Sequence, residues 1–326
     1  MSFKISVIIA TFNSGRTLRQ TLDSIRYQTY KNVETIIIDG LSSDNTLEII
    51  NEYSDVVTKC ISEKDSGIYE AFNKGINLAT GDYIGFIGSD DCYIDYSVFD
   101  NIIKDLSVDI DMISYPIVCI DEYYKNEYIF FNTLDKEDIL TGKMLPHPGL
   151  FVKTKIMKKY MFNDKNKIIS DYEFLLRYLI DGGVVKFSDY PVAYFSNSGV
   201  SSGNFNSESW KCEISEHLTL YKSLKLEQKY LFGYLNQVFK YKERENTKYL
   251  IILLMKNLLK KFKLAEIVKI LLGIKKKHKC NLKYCRWCGC TIVKQVDTNS
   301  ANLLSSRSRR YLAVIGSLSF IGRQVA

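Results

Sequence analysis

The sequence predicts an α/β fold: a mostly parallel sheet flanked by helices, followed by a basic helical extension. Three observations lead there. Over the first hundred residues, apolar runs of strand length alternate with helical patterns. The runs are continuously apolar rather than alternating, as in a sheet covered on both faces. Polar residues gather just beyond each run, where open sheets of this kind collect ligands.

In chain order, "KISVIIAT" at 4–11 is the first strand, and a helical pattern follows at 17–27. The second strand, "VETIIID" at 33–39, leads to Asp44-Asn45-Thr46, a helix start, and a helix over 46–53. "VVTKCIS" at 56–62 and a helix over 68–78 come next, and Gly81 closes that stretch before "YIGFIG" at 83–88. Two more strands are expected between 112 and 131. "LPHPGLFVK" then runs into a helix at 154–160. A last helix opens at Asp171 and carries apolar Phe174, Leu175, Tyr178 and Leu179. Ser170 and Asp171 both suit the cap of that helix.

Composition narrows the function classes. The 326 residues are 46% apolar, enough for a sizeable core, and no apolar run approaches the ~20 residues of a membrane span. The start reads as a strand rather than a leader, so the eight cysteines are expected to be reduced, in the cytosol. The net charge of +7 hides a split: residues 1–200 carry 20 Lys+Arg against 29 Asp+Glu, and residues 201–326 carry 24 against 8. An acidic half could hold a metal, and a basic half could meet an anionic surface. No Gly-x-Gly-x-x-Gly follows the first strand and no P-loop occurs, which argues against a dinucleotide or P-loop site.

The stretch "GDYIGFIGSDDCYID" (81–95) drives an apolar strand into two adjacent carboxylates, Asp90 and Asp91. Like charges repel there unless a divalent cation takes their oxygens as ligands. A solvated turn is the plainer reading. Neighbouring strand ends favour the metal: Thr11 and Asn13 follow the first strand, Asp39 the second and Asp65 the third, all delivered to one rim.

Together these residues resemble the inverting, nucleotide-sugar-dependent glycosyltransferases of the A-type fold (family 2-like). The nearest likeness is to bacterial members that build O-antigen, capsule and exopolysaccharide. The segments that carry it are "SVIIATFNSGRTLRQTLDSIRYQTYKNVETIIIDGLSSDNT", "EKDSGIYEAFNKGINLATGDYIGFIGSDD", "HPGLFV" and "SDYEFLLRYL", over roughly residues 3–205. The resemblance implies a catalytic domain at 1–205 in which Thr11, Asn13 and Asp39 hold the nucleoside. It puts Asp65 and Lys74 near the nucleotide, and gives Asp90 and Asp91 to Mn²⁺ or Mg²⁺, Asp90 also facing the donor. It makes Asp171 the catalytic base and places His147 near the acceptor, although a lone histidine is more often structural. In one departure, the family's frequent acidic residue two before Asp90 is Gly88 here. The implied reaction moves a hexose, Glc or Gal, from a UDP-sugar to an undecaprenyl-diphosphate-linked saccharide. "YFSNSGVSSGNF" (194–205) is similar to the family's closing segment, and equally suits a linker.

Residues 206–279 read as a helical, basic extension. In "NTKYLIILLMKNLLKKFK", Lys256, Lys260 and Lys263 share one face, while Leu254, Met255, Leu258 and Phe262 share another. Such a helix can lie on an anionic membrane interface or pack on the catalytic domain with its lysines in water; the lipid-linked acceptor that the resemblance implies favours the former, so the chain is expected to be cytoplasmic and peripheral on the inner-membrane surface. In the tail at 280–326, Cys280, Cys285, Cys288 and Cys290 crowd beside His278, but no second Cys-x-x-Cys follows, so a zinc knuckle is the minor reading. Nucleic-acid binding is not expected, because aromatics are not interleaved with the lysines as stacking platforms. A catalytically inactive scaffold is countered by the intact Asp90, Asp91 and Asp171.

Overall fold

The computed structural model describes residues 2–121, 126–130, 134–196 and 207–240. They form two compact units: residues up to 130 with 145–196, and residues 134–144 with 207–240. The basic helix bearing Lys256, Lys260 and Lys263, the cysteine cluster, and most of the 194–205 segment lie outside the described residues. No described helix is long and apolar enough to cross a membrane.

The strands of the first unit are β1 (Ile5–Thr11), β2 (Val33–Asp39), β3 (Val57–Ser62), β4 (Tyr83–Phe86), β5 (Cys92–Tyr93), β6 (Met112–Ser114), β7 (Ile117–Asp121), β8 (Asn126–Phe130), β9 (Leu150–Lys153), β10 (Lys186–Phe187) and β11 (Ala193–Ser196). Seven form the main sheet in the order β10-β6-β9-β4-β1-β2-β3. All its pairings are parallel except those of β9, which runs antiparallel to both β4 and β6. The sheet is therefore mostly parallel, as expected, with one reversed strand that the sequence did not signal.

Burial follows position in the sheet. Central β1 is sealed on both sides, with Ile5, Val7, Ile8 and Ile9 all at 0% exposure, each contributing roughly 1.5–3 kcal/mol. Edge strand β3 instead alternates half-buried and exposed residues. Helices α1 (Leu18–Arg26), α2 (Thr46–Glu52), α3 (Ile68–Leu78) and α4 (Val98–Asp105) fall where the apolar spacing predicts or follow the acidic motif. Helix α3 lies so close to β1 that a Cβ on Gly75 would sit 2.5 Å from Ile8, so this crossing requires glycine.

Two expectations are corrected. Between 112 and 131 three strands form rather than two, because Pro116, with no N–H to give a ladder, separates β6 from β7. The later strands also build a second sheet, β5-β11-β7-β8. Its first strand starts directly after Asp91, so the acidic motif stands where the two sheets meet.

In the second unit, α5 (Lys136–Leu140) is capped by Asp135, whose carboxylate accepts from the Asp138 N–H at 2.7 Å. The first unit continues with α6 (Thr154–Tyr160) and α7 (Ser170–Ile180). Helices α8 (Ser207–Ser223) and α9 (Gln228–Lys240) complete the second, where the Tyr221 hydroxyl donates to the Leu140 carbonyl at 2.7 Å. His217 stacks on Tyr234 with centroids 4.1 Å apart, and burial holds its imidazole down at about 4.

Candidate active site

The parallel register places Thr11 opposite Asp39 at the ends of β1 and β2. The Thr11 hydroxyl donates to Asp39 Oδ1 at 2.9 Å. Ser42 adds its own hydroxyl at 2.5 Å and its N–H at 2.9 Å, and Ser62 at the end of β3 donates at 2.7 Å. Burial pushes the Asp39 carboxyl up, but these donors outweigh it and hold it below the ordinary range. Asp39 is thus a fixed, ionised acceptor at 0% exposure, locking three strand ends into one rim. Ser42 and Ser62 were not foreseen; serines spaced after strand ends were the available signal.

Asn13 follows with φ of 50°, the left-handed region that asparagine tolerates. Its side-chain oxygen accepts from the Ser43 N–H at 2.9 Å, pinning the loop after β2. Asp65 stands beside Gly40, where an added Cβ would meet its Oδ2 at 3.0 Å. Desolvation raises the Asp65 carboxyl, which accepts from the Gly67 N–H at 3.1 Å. Ser14 and Ser89 share a 2.8 Å hydroxyl bond that ties the β1 loop to the acidic turn. Thr11, Asn13, Asp39, Asp65 and the acidic motif therefore gather on one rim. Lys74 is on α3, and its ammonium pairs with Glu63 and Glu70, each at 2.9 Å, so an anionic ligand would compete with two carboxylates.

Asp91 is 4% exposed, accepting from the Ser196 N–H at 2.9 Å and the Gly88 N–H at 3.2 Å. Burial and the charge of Asp90 push its carboxyl up to about 7. Glycine at 88 has a reason: a Cβ there would lie 2.6 Å from Asp91 Oδ2 and 2.9 Å from Asp90 Oδ1. Among the described residues no group of three or more His, Cys, Asp or Glu surrounds a common point. Two adjacent carboxylates, one desolvated, still fit a hard divalent cation that takes its remaining ligands from phosphate oxygens and water. The strain on Asp91 is what such an ion would relieve.

Asp171 stands on α7, with Tyr69 of α3 and His147 of the turn before β9 bearing on it. The capping reading is corrected, since α7 begins at Ser170 and its N-cap is Ile169, with no side-chain cap bond. Asp171 is instead in the first turn, where its Oδ1 accepts from the Tyr172 N–H at 2.8 Å and the Tyr69 hydroxyl at 3.1 Å. Burial raises its carboxyl, against which His147 and those two donors pull it down. His147 stacks on Phe86 with centroids 4.9 Å apart and lies within 6.0 Å of Phe162. Burial lowers its imidazole, and its Nε2 is out of water with no hydrogen-bond partner among the described residues. Phe86 is the last residue of β4, four before Asp90, so the His147 stack reaches the strand that leads to the acidic motif. A neutral imidazole and a carboxylate with a raised affinity for protons suit general base chemistry.

Comparison with known proteins bears on the family and the fold. Residues 6–161 match the model for glycosyl transferase family 2. A relative in Escherichia coli, UDP-Glc:alpha-D-GlcNAc-diphosphoundecaprenol beta-1,3-glucosyltransferase WfaP, is 26% identical over 260 residues, 74% of this chain and 98% of its own. The chain spans about a third of the length of the first curated relatives it matches. Among solved structures, Staphylococcus aureus TarS 1–349 in complex with UDP-GlcNAc superposes with a TM-score of 0.57 at 17% identity, covering 83% of this chain and 79% of that one. The mannosyltransferase PcManGT of Pyrobaculum calidifontis, in complex with GDP-Man and Mn²⁺, gives a TM-score of 0.55 at 13% identity, covering 84% and 80%. These likenesses show the A-type fold.

Proposed function

Residues 6–161 carry a glycosyl transferase family 2 domain, and from that premise we propose that the chain transfers a hexose, Glc or Gal, from a UDP-sugar to a lipid-linked saccharide with inversion. The observation that carries the reading is that acidic groups of two kinds are held in place: the strand-end rim of Thr11, Asp39, Asp65, Asp90 and Asp91, and Asp171 in the first turn of α7, bonded to Tyr69. A nucleoside diphosphate needs donors, acceptors and a counter-charge, which the rim offers. An acceptor hydroxyl needs a base, which Asp171 offers.

In this reading Thr11, Asn13 and Asp39 seat the nucleoside, with Asp65 and Lys74 beside it. Asp90 and Asp91 would hold Mn²⁺ or Mg²⁺, which when bound supplies Lewis-acid neutralisation of the leaving diphosphate. Asp171 accepts the proton of the acceptor hydroxyl as its oxygen attacks the anomeric carbon, and His147 lines the acceptor side. His147, whose charge state bears on that carboxylate, packs against Phe86 and Phe162. A single displacement converts an α-linked donor into a β-linked product.

An undecaprenyl-diphosphate-linked acceptor is supported by the name of the WfaP relative. It would bring the chain to the cytoplasmic face of the inner membrane, where the basic segment around Lys256, Lys260 and Lys263 could meet anionic lipid. The test is a panel of UDP-sugars with an acceptor bearing GlcNAc-diphosphate-lipid, run with Mn²⁺, with Mg²⁺ and with EDTA. One donor should be consumed, only with metal and acceptor present. Failure of every UDP-sugar to bind under either metal would overturn the proposal.

A further inference from the structure

Asp171 has a neighbour that the reaction above leaves unused. Tyr69, on α3 and 7% exposed, sets its ring 5.6 Å from Phe162. Its hydroxyl stands between two acceptors, the Ile168 carbonyl at 2.6 Å and Asp171 Oδ1 at 3.1 Å. A phenol carries one proton, so it cannot serve both fully at once. A half-buried carboxyl that gains a proton during turnover, moreover, is best held by a partner that serves both of its states.

We infer that Tyr69 is a positioning residue for Asp171, a hydroxyl that rotates between donating to the ionised carboxylate and accepting from the protonated one. With Asp171 ionised, the Tyr69 proton points at Oδ1 and fixes the carboxylate for attack. As the acceptor oxygen bonds to the anomeric carbon, its proton passes to Asp171. The bond from that carbon to the diphosphate oxygen breaks, and the electron pair leaves with the diphosphate. The Tyr69 proton then turns to the Ile168 carbonyl, and the new Asp171 O–H donates to the phenol oxygen. The 2.6 Å bond to Ile168 is the arrangement of this second state. The inference rests on Asp171 being the base.

The groups that bear on Asp171 can be named by element. Helix α3 contributes Tyr69, while Glu70 on the same helix is engaged by Ser66 and Lys74. The turn before β9 contributes His147. On α7 itself, Glu173 is occupied by Asn163, Asn166 and Arg177. The loop before α7 brings Lys165 and Lys167, both exposed. Among the described residues, Tyr69 both touches Asp171 and has a second acceptor to turn to.

The experiment is the pH dependence of transfer by Tyr69→Phe, with UDP affinity measured on the same protein and Asp171→Asn as reference. The ring and its aromatic packing survive this change. Expected are UDP affinity within about twofold of wild type and kcat lower by roughly tenfold. The acid limb of the profile should rise by about half to one pH unit, because the ionised carboxylate loses a charge-assisted bond. A lower rate with the acid limb unmoved overturns the inference, since a mere tether of Ile168 would give that. If Tyr69→Phe does not fold, 3-fluorotyrosine at position 69 carries the test. Its more acidic phenol should move the limb downward, and an unmoved limb again overturns the inference. A fully active Asp171→Asn is a distinct result: it removes the base reading, and this inference with it.

Discussion

Asp91 and Asp171 are both pushed upward by burial, and different outcomes follow for each. For Asp171, the proposed base, removing the charge while keeping the shape should leave the acceptor without one. Asp171→Asn should bind UDP as wild type does and transfer at a rate lower by roughly 10²–10⁴, read by single-turnover assay beside calorimetric UDP titration. For Asp91, the folded carboxyl titrates at about 7, well above its unfolded value near 3.9. The stability tied to it is therefore fully present below about pH 4 and lost as pH rises through 7. With EDTA present, wild type should lose stability relative to Asp91→Asn between about pH 4 and 7, by on the order of a few kcal/mol, and stay level above that, in thermal melts. Mn²⁺ with UDP should shrink the gap, and a gap that ignores both would count against a cation at this position. Asp90 and Asp91 were legible in sequence because adjacent acids at the end of an apolar strand are a conspicuous conflict. Tyr69 was not, because an aromatic at helical spacing reads as core until its hydroxyl is seen 3.1 Å from Asp171.

At the scale of elements, the strand ends make the site and the opposite end of the sheet holds it together. Glu34 on β2, whose side chain is 2% exposed, accepts from Ser6 on β1 at 2.5 Å and from Lys4 at 2.9 Å. The N–H groups of Thr80 and Gly81, just before β4, donate to it at 2.6 and 3.0 Å. One carboxylate thus joins β1, β2 and the approach to β4, the strands that end in Thr11, Asp39 and the acidic motif. Burial pushes Glu34 up, but its donors win and bring it down to about 2. The sign is opposite to that of Asp91: the stability is present above about pH 4.5 and lost as pH falls through 2. Glu34→Gln should cost about 2–3 kcal/mol at pH 7 in denaturant melts, and the difference should vanish in acid. A difference that stayed constant with pH would point to packing instead. The strands and helices up to residue 88 were legible because continuous apolar runs and 3.6-residue spacing agree there. The second sheet was not, since strands of two to five residues, such as Cys92–Tyr93, are too short for a period to show. The reversed direction of β9 is likewise a property of tertiary pairing, which no local pattern encodes.

Over the whole molecule, charge and chemistry are divided: the acidic first 200 residues carry the candidate site, and the excess of cations lies beyond them. If that excess serves an anionic lipid surface, the chain should co-sediment with phosphatidylglycerol vesicles and be released by about 0.5 M salt. Replacing Lys256, Lys260 and Lys263 with Ala should abolish the sedimentation while sparing transfer to a soluble acceptor. Binding that survives both treatments would contradict the electrostatic account. Donor identity was not legible at any scale, since the sugar is chosen by side-chain shape around a ligand, which neither spacing nor charge reveals. The central claim is narrower: one base, Asp171, drives one displacement at the anomeric carbon. The measurement that tests it most directly is the anomeric configuration of the product, read from the proton coupling of the new linkage by NMR, starting from an α-linked UDP-hexose. A β linkage is what the account predicts. An α linkage would contradict it, because a single attack from the side opposite the leaving diphosphate cannot retain configuration.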